Sequence, residues 1–340
     1  MPKRAIFDKK NVLVAGGAGF IGSHLCDELV KNNKVICVDN FITGDERNID
    51  HLLKNSSFVF IKADINEPLE LESLPELQKF KIQFQGVQEI YNLACPTSPV
   101  NFKENKIAAL LANSAGVKNL LDLAVKYKAT FIQFSSSVVY GPRREEKRNI
   151  AEDDFGIVNP VGERSSYDEG KRFAESLVVN YRDVYGLDVK IARIFRTYGP
   201  RMKLGDKQMI PDFIVNALEN KDLIIYGDKD FHTSLCYIND IIDAVIKLAE
   251  SDVSEPINIG SDQDENLTEV AEKIIALTGS KSKITHQEKI LFMTQLAVPD
   301  ISRAKEKLNW MPVTAIDRGL EKTVDDLRAS KGLLDVKQAV

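Results

Sequence analysis

Two side chains spaced four residues apart could act together as an acid–base pair. Tyr167 and Lys171 stand in the segment SSYDEGKRFAES, and a spacing of four places both on the same face of a helix. A free phenol has a pKa near 10 and is a poor base at neutral pH. A neighbouring ammonium group stabilises the phenolate and lowers that pKa, so the pair could remove a proton from an alcohol.

Three hydroxyl groups close a predicted strand upstream of this pair. The run ATFIQFSSS at 129–137 is rich in β-branched and aromatic residues and ends on Ser135, Ser136 and Ser137. A hydroxyl at this place could hold a substrate alcohol beside the phenol while a hydride passes to a nicotinamide ring. The predicted chemistry is therefore the oxidation of an alcohol with the help of a cofactor.

A glycine-rich turn predicts where a dinucleotide would bind. Gly16, Gly19 and Gly22 follow the apolar run 11–15 and open a helix, and such a turn needs glycines where the chain bends tightly, approaches a pyrophosphate and packs on a strand. The N-terminus of that helix attracts phosphate. The next strand ends at Asp39, whose carboxylate would accept the ribose hydroxyls and repel a 2′-phosphate, so NAD is favoured over NADP.

Further residues complete the predicted cofactor site. Asp64 and Ile65 end the third predicted strand and could contact the adenine, although an ordinary acid at a strand end is the alternative for Asp64. The remaining predicted cofactor contacts come from the glycine turn, from strand ends and from the acid–base pair: Phe20, Ile21, Asn40, Leu93, Ala94, Asn113, Ser135, Tyr167 and Lys171.

Strands and helices alternate over the first two hundred residues. This alternation predicts an α/β fold with a doubly wound parallel sheet of the Rossmann type. We expect an NAD-binding domain over 1–200, which also receives strands and helices from about 235–262. A smaller C-terminal α/β domain over 201–330 would bind the substrate. The segment 69–86 is expected to be an inserted element that covers the surface.

Composition excludes several classes of protein. The chain has 340 residues and a formal net charge of −5, which disfavours a nucleic-acid partner. No apolar run approaches the roughly 18 residues that span a bilayer, and the first residues lack the pattern of a signal peptide, so we expect no membrane partner. The cysteines are not spaced as metal ligands. We therefore expect no metal, reduced thiols and a cytoplasmic location.

Several longer motifs together resemble a known family. The glycine turn, NLACPTSPVNF, SSSVVYG, NPVGERSSYDEGKRFAE, ARIFRTYGPRM and PDISRAKEKLNW are similar to those of extended short-chain dehydrogenases that modify nucleotide sugars, and most of all to the decarboxylases of UDP-glucuronate. The resemblance implies that Tyr167 is the base, that Lys171 is its partner and that Ser136 positions the sugar O4.

The same resemblance implies a substrate site and an assembly. The substrate would be a nucleotide sugar, with UDP as the expected nucleotide. Phe213 and Tyr226 would flank or line the base, although each could equally fill the core. Ser137 and Arg201 are further predicted substrate contacts. Members of the family form homodimers through two long helices, which would be those at about 103–127 and 165–185.

This sequence departs from the decarboxylase pattern at several positions. The decarboxylases carry a glutamate where Val138 stands and an arginine where Thr233 stands, and another of their arginines is replaced by Ala297. In turn, the asparagine of their RIFNTYG motif is Arg196 here. A guanidinium can clamp a phosphate or carboxylate, so we expect Arg196 to take over anion binding. His232, beside Thr233, is expected to be a surface residue rather than a replacement acid.

The leading interpretation is an NAD-dependent enzyme that oxidises a nucleotide sugar at C4, most like a UDP-glucuronate decarboxylase that forms UDP-xylose. A 4-epimerase follows closely, because it needs only the hydroxyl, Tyr167 and Lys171, whereas Val138 and Thr233 replace decarboxylase residues. A 4,6-dehydratase is disfavoured, since it needs an Asp-Glu pair where Ser137 and Val138 stand. A net sugar oxidase and a non-catalytic NAD-binding sensor are the remaining alternatives.

Overall fold

Short β-branched runs form the strands of the protein, because such residues pack well on a pleated surface. The computed structural model describes residues 9–98, 101–144, 149–227, 229–288 and 295–338. Its strands, in chain order, are β1 (Asn11–Ala15), β2 (Lys34–Asp39), β3 (Phe58–Lys62), β4 (Glu89–Asn92), β5 (Thr130–Ser136), β6 (Asn149–Ile150), β7 (Val189–Ile194), β8 (Thr197–Tyr198), β9 (Leu223–Tyr226), β10 (His232–Thr233), β11 (Cys236–Tyr237), β12 (Ile257–Ile259), β13 (Glu265–Asn266), β14 (Ile284–Gln287) and β15 (Val298–Pro299).

The helices follow most of these strands. They are α1 (Phe20–Leu29), α2 (Ile82–Gln85), α3 (Asn101–Glu104), α4 (Lys106–Leu111), α5 (Val117–Tyr127), α6 (Ser165–Tyr185), α7 (Met209–Leu218), α8 (Ile238–Glu250), α9 (Leu267–Thr278), α10 (Ser302–Leu308) and α11 (Ile316–Gln338). A π-helical turn at Ala112–Gly116 joins α4 to α5, so the helix predicted over about 103–127 is continuous from residue 106 to residue 127 and is separated from α3 only at Asn105.

Seven parallel strands make the central sheet, in the order β12-β7-β5-β4-β1-β2-β3. Strands β2 and β3 are added on one side of β1, and the chain then crosses over to place β4 on the other side of β1. This confirms the predicted doubly wound fold. In such a sheet the ligand crevice opens where the strand order reverses, at the carboxyl ends of the strands.

Alternate residues of the central strands enter two apolar cores, one on each face of the sheet. Val12 and Val14 of β1 pack in a cluster with α1 and α8, whereas Leu13 and Ala15 pack in a cluster with α5 and α6. Both faces are therefore covered by helices, which is why the strand sequences are almost continuously apolar.

The segment at 69–86 contributes to the second core, contrary to the expectation of a mere surface cover. Leu71, Leu77 and Phe80 are fully buried there. The segment consists of short 3-10 turns and the four-residue helix α2. Because its apolar residues follow neither a strand period nor an α-helical period, the sequence pattern did not reveal their burial.

The second half of the chain returns to the main sheet and then leaves it. β12 pairs with β7 as the edge strand, and β11 pairs with β8 just beyond the carboxyl end of β7. Helices α7, α9 and α11 pack together beyond this point. The division into domains at about residue 200 stays a prediction. Among the described residues, no helix is both long and apolar enough to cross a membrane.

Candidate active site

A cleft of about 830 Å³ runs along the carboxyl ends of the central strands. Its walls come from the loops after β1, β2, β4, β5 and β7 and from the starts of α1, α6 and α7. Most of the residues that the sequence singled out line it: Gly16, Gly19, Phe20, Ile21, Gly22, Asp39, Asn40, Asp64, Ile65, Leu93, Ala94, Ser135, Ser136, Ser137, Tyr167, Lys171, Arg196 and Arg201.

The glycine turn at one end of the cleft has no room for side chains. Gly16 has a φ of +79°, and a Cβ built on it would lie 2.8 Å from the amide nitrogen of Ala94. A Cβ on Gly22 would lie 2.1 Å from the carbonyl oxygen of Gly16. Helix α1 starts here with Gly19 as its N-cap and without a capping side chain. Its backbone N–H groups therefore face the cleft, as a pyrophosphate requires.

Asp39 stands at the end of β2, where a ribose would lie. Its carboxylate accepts hydrogen bonds from the backbone N–H groups of Ala18 (3.0 Å) and Phe41 (2.9 Å). Burial raises the pKa of Asp39 above its usual value, and these N–H groups oppose that effect. Each carboxylate oxygen has a second lone pair for a ribose hydroxyl. The residues of this end of the cleft thus fit NAD.

The predicted acid–base pair meets the end of β5. Tyr167 and Lys171 lie in the first half of α6, and the Lys171 Nζ is 5.9 Å from the centre of the Tyr167 ring. Lys171 donates a hydrogen bond to the Phe134 carbonyl at 2.9 Å. Ser136 lies beside the phenol of Tyr167 and lowers its pKa. Phenol, ammonium and hydroxyl thus converge within one cleft.

Burial controls the protonation of this pair in the protein alone. It raises the pKa of Tyr167 well above its usual value, and the hydrogen bond from Ser136 opposes this rise. Burial also lowers the pKa of Lys171. The sequence predicted a lowered phenol pKa, but desolvation disfavours both charged forms. In the protein alone, burial therefore acts against the charged forms of both groups.

Val138 lines the cleft beside the phenol. It is buried and packs with Tyr167 and Cys95 in a small apolar cluster. An apolar side chain at this place cannot hold or release a proton. The thiol of Cys95 also lines the cleft and accepts a hydrogen bond from the Asn113 amide at 3.1 Å.

Two further arginines, Arg196 and Arg164, line the cleft. Arg196 follows β7, whose last residue is paired with Ser136, and its Nη1 donates a hydrogen bond to the Thr233 Oγ1 at 2.8 Å. Burial and the neighbouring guanidinium of Arg164 lower the pKa of Arg196 to about 10. Arg164 caps the start of α6 and forms an ion pair with Asp168.

Arg201 reaches the cleft from a strained backbone position. Its φ is +65°, and its backbone N–H donates to the Asp326 carboxylate at 2.8 Å. One guanidinium nitrogen pairs with Asp27 at 2.7 Å, whereas Nη1 is buried without a hydrogen-bond partner among the described residues.

Four residues considered from the sequence lie away from the cleft. Phe213 packs fully buried in the apolar core, and Tyr226 is half-buried at the end of β9. The Asn113 amide is occupied by the Ala109 carbonyl and the Cys95 thiol. His232 lies in a separate small pocket and faces Asp264, with Nδ1 3.5 Å from the carboxylate. None of the four lines the cleft, because packing turns their side chains elsewhere.

Sequence reasoning missed two groups of the cleft wall. Arg164 precedes Tyr167 by three residues, so its place on the same helix could have indicated it. Thr97 and Ser98 follow β4 and also line the cleft, and only their place beyond a strand end could have suggested this. Among the described residues, no group of three or more His, Cys, Asp or Glu side chains could hold a metal ion.

Comparison with known sequences gives one consistent result. The sequence profile of the NAD dependent epimerase/dehydratase family matches residues 12–260. UDP-glucuronic acid decarboxylase 1 of Xenopus tropicalis is 38% identical over 322 residues, which cover 94% of this chain and 73% of that protein. UDP-glucuronic acid decarboxylase 1 of Arabidopsis thaliana is 39% identical over 318 residues, which cover 93% and 69%.

Comparison with solved structures extends this result to the fold. UDP-glucuronic acid 4-epimerase of Bacillus cereus, in complex with UDP-glucuronic acid and NAD, superposes with a TM-score of 0.82 and 28% identity over 94% of this chain and 99% of that one. UDP-glucose 4-epimerase of Thermotoga maritima with UDP-glucose gives a TM-score of 0.82 and 25% identity over the same shares.

Proposed function

We propose, from the premise that this chain belongs to the NAD dependent epimerase/dehydratase family, that it oxidises UDP-glucuronate at C4 and releases carbon dioxide to form UDP-xylose. The family match confirms the prediction of an NAD-dependent enzyme that modifies nucleotide sugars. The observation that carries the proposal is the convergence of Tyr167, Lys171 and Ser136 in the same cleft as the glycine turn.

The first step is the removal of the proton from the sugar C4 hydroxyl. Ser136 holds that hydroxyl, and Tyr167 accepts its proton as the hydride leaves C4. NAD, when bound in the cleft, would supply the hydride acceptor and a positive ring charge near the phenol. That charge, with the Lys171 ammonium, opposes the effect of burial on the phenol pKa.

The second step follows from the ketone at C4. The carboxyl group on C5 then belongs to a β-keto acid, so carbon dioxide can leave while the electron pair of the broken bond moves into the carbonyl. Protonation at C5 and return of the hydride to C4 complete the turnover. The protein must therefore keep the sugar in place between the two hydride transfers.

Arg196 is the group that we assign to the acidic part of the substrate. It follows the strand residue that pairs with Ser136, so its guanidinium lies near the place of the sugar rather than at the adenine end. Its hydrogen bond to Thr233 orients it. A guanidinium in a buried cleft can bind the sugar carboxylate with two parallel hydrogen bonds.

Val138 favours a second candidate, a 4-epimerase. An apolar residue beside Tyr167 supplies no acid for C5, whereas epimerisation needs only that the 4-ketone be turned over and reduced on its other face. The two candidates share the first step and differ in the fate of the carboxyl group.

Mass spectrometry of the product separates these candidates. Purified protein is incubated with NAD and with UDP-glucuronate, UDP-glucose or UDP-N-acetylhexosamines. We expect a product that has lost the mass of carbon dioxide from UDP-glucuronate alone. An unchanged mass with a new retention time would establish the epimerase instead. No change with any of these substrates would exclude both the decarboxylase and the epimerase, and a non-catalytic NAD-binding sensor would be the remaining candidate.

We further propose a homodimer in a reducing compartment such as the cytoplasm. Helices α4 and α6 pack against each other, and each leaves large apolar side chains exposed, among them Ile107 (68%) and Phe173 (52%). A second copy would cover them. Sedimentation velocity should give the mass of a dimer, and Ile107→Lys should convert it to a monomer; a monomeric wild type would contradict the assembly.

The cysteines at 26, 37, 95 and 236 are all free thiols, and this supports the proposed reducing compartment.

A further inference from the structure

Helix α6 presents three functional groups at intervals of four residues. Tyr167, Lys171 and Glu175 share one face of the helix, and this face lies against three consecutive residues of β5. Ser136 lies beside the phenol of Tyr167 and lowers its pKa, and the Lys171 ammonium donates a hydrogen bond to the Phe134 carbonyl. The Ser135 hydroxyl donates to the Glu175 carboxylate. The third contact therefore fixes the same strand end that carries the substrate hydroxyl.

A buried arginine holds Glu175 from the other side. Arg193, on β7, donates through Nε to Oε1 at 2.9 Å and through Nη2 to Oε2 at 2.7 Å. Its Nη1 donates to the Tyr140 hydroxyl at 2.8 Å and to the Glu152 carbonyl at 2.9 Å. This side chain joins β7 to the segment after β5, so the Glu175 carboxylate links the catalytic helix to both strands.

We infer that Glu175 is a positioning residue for the Tyr167–Lys171 pair, which fixes the end of β5 and balances the buried positive charges of Lys171 and Arg193. This inference rests on the proposed function for the role of the pair. Glu175 does not line the cleft, so it acts on the reaction only through these neighbours. Buried ion pairs contribute little net stability. The Glu175–Arg193 pair therefore serves to balance charge beside the catalytic pair rather than to stabilise the fold.

The charges around Lys171 determine in which direction its pKa changes when Glu175 is replaced. Cys95 faces the ammonium from the segment after β4, Tyr167 lies one turn earlier on α6, and Glu175 lies one turn later. Burial lowers the pKa of Lys171, and Glu175 opposes that effect. Replacing Glu175 by glutamine removes this opposing charge and leaves the guanidinium of Arg193 without its carboxylate partner, so the pKa of Lys171 must fall further.

The test compares Glu175→Gln, the double variant Glu175→Gln/Arg193→Met, and Glu169→Gln as a matched control, a half-buried glutamate of α6 that pairs with Arg172. For Glu175→Gln we expect a roughly tenfold lower kcat with an unchanged KM for UDP-glucuronate, and an alkaline limb of the pH–rate profile about one pH unit lower. The double variant should return the limb towards the wild-type position, because both buried charges are gone. Glu169→Gln should behave like the wild type.

A second readout does not depend on turnover. The Lys171 ammonium can be titrated by NMR in 15N-lysine-labelled protein, with Lys171→Arg for assignment. Its pKa should fall in Glu175→Gln and recover in the double variant, even if no nucleotide sugar is turned over. Failure of the proposed function would thus leave this result intact. An unchanged titration together with an unchanged pH profile would reduce Glu175 to a structural residue and overturn the inference.

If Glu175→Gln does not fold, Glu175→Asp provides a second test of the inference. The shorter side chain retains the charge beside Arg193 but cannot also reach the Ser135 hydroxyl. We expect Lys171 to keep its wild-type pKa. The kcat should fall about threefold to tenfold, which corresponds to the loss of roughly one hydrogen bond. A wild-type kcat in Glu175→Asp would overturn the positioning role.

Discussion

Replacement of Arg196 by methionine tests the substrate assignment most directly. Methionine approximates the volume of the buried side chain without its charge, so the cleft wall is kept. A hydrogen bond to a charged group contributes about 1.5–3 kcal/mol. The loss of one such bond raises the Kd about 10-fold to 150-fold, since 1.4 kcal/mol corresponds to a factor of ten. We expect an effect of this size on UDP-glucuronate binding.

The choice of ligands identifies the group that Arg196 binds. Calorimetry on NAD-loaded protein that also carries Tyr167→Phe avoids turnover during the titration. A guanidinium bound to the sugar carboxylate predicts weaker binding of UDP-glucuronate and unchanged binding of UDP-glucose and UDP. Equal losses for all three would place the contact at the diphosphate. An unchanged Kd for every ligand would refute the reasoning.

Two further variants serve as controls for Arg196. Thr233→Val removes only the hydroxyl that orients the guanidinium, and we expect about a 2-fold to 10-fold rise in Kd from one neutral hydrogen bond. The exchange Arg196→Asn/Thr233→Arg moves the guanidinium to the position at which the sequence analysis expects an arginine in the decarboxylases. It should recover part of the affinity that Arg196→Met loses.

Three other substitutions test separate parts of the structure. Tyr167→Phe should lower kcat by about 10²-fold to 10⁴-fold with unchanged NADH binding by fluorescence; wild-type turnover would remove the base assignment. Gly22→Ala should weaken NAD binding and lower the melting temperature, because its Cβ would lie 2.1 Å from the Gly16 carbonyl, whereas Gly332→Ala, with no atom within 4 Å, should do neither. Burial raises the pKa of Asp212 to about 6. Between about pH 4 and pH 6 the folded chain therefore keeps a proton that the unfolded chain releases, and the contribution of Asp212 to the free energy of unfolding falls as the pH rises. Asp212→Asn should therefore raise the melting temperature at pH 8 and not at pH 4, and an equal gain at both would contradict this.

Local patterns in the sequence identified most of the predicted site residues that line the cleft, and the chemical roles of these residues stay predictions. The spacing of Tyr167 and Lys171 depends only on the helical period, and the glycine turn depends only on backbone sterics at Gly16 and Gly22. Because parallel strands all end at one edge of the sheet, residues that follow different strands meet there without any long-range information. The serines at the end of β5 and Asp39 at the end of β2 are examples.

Side chains whose partners lie far away in the sequence were not predictable in this way. Phe213 was assigned to the substrate and lies in the core, because the rotation of α7 is set by the packing of α9 and α11 around it. Glu175 was overlooked because a carboxylate in a helix usually faces solvent. Only the fold brings Arg193 of β7 against it.

The addition of β12 as the last strand of the sheet has a consequence for the synthesis of the protein. About 60 residues separate β7 from β12, and a ribosome needs roughly 3 to 12 s to add them at 5–20 residues per second. During that interval β7 is an uncovered edge with unpaired backbone groups, the kind of surface on which nascent chains pair with the wrong partner. Early chaperone capture of this edge would shorten the exposure, and truncation before residue 257 would make it permanent.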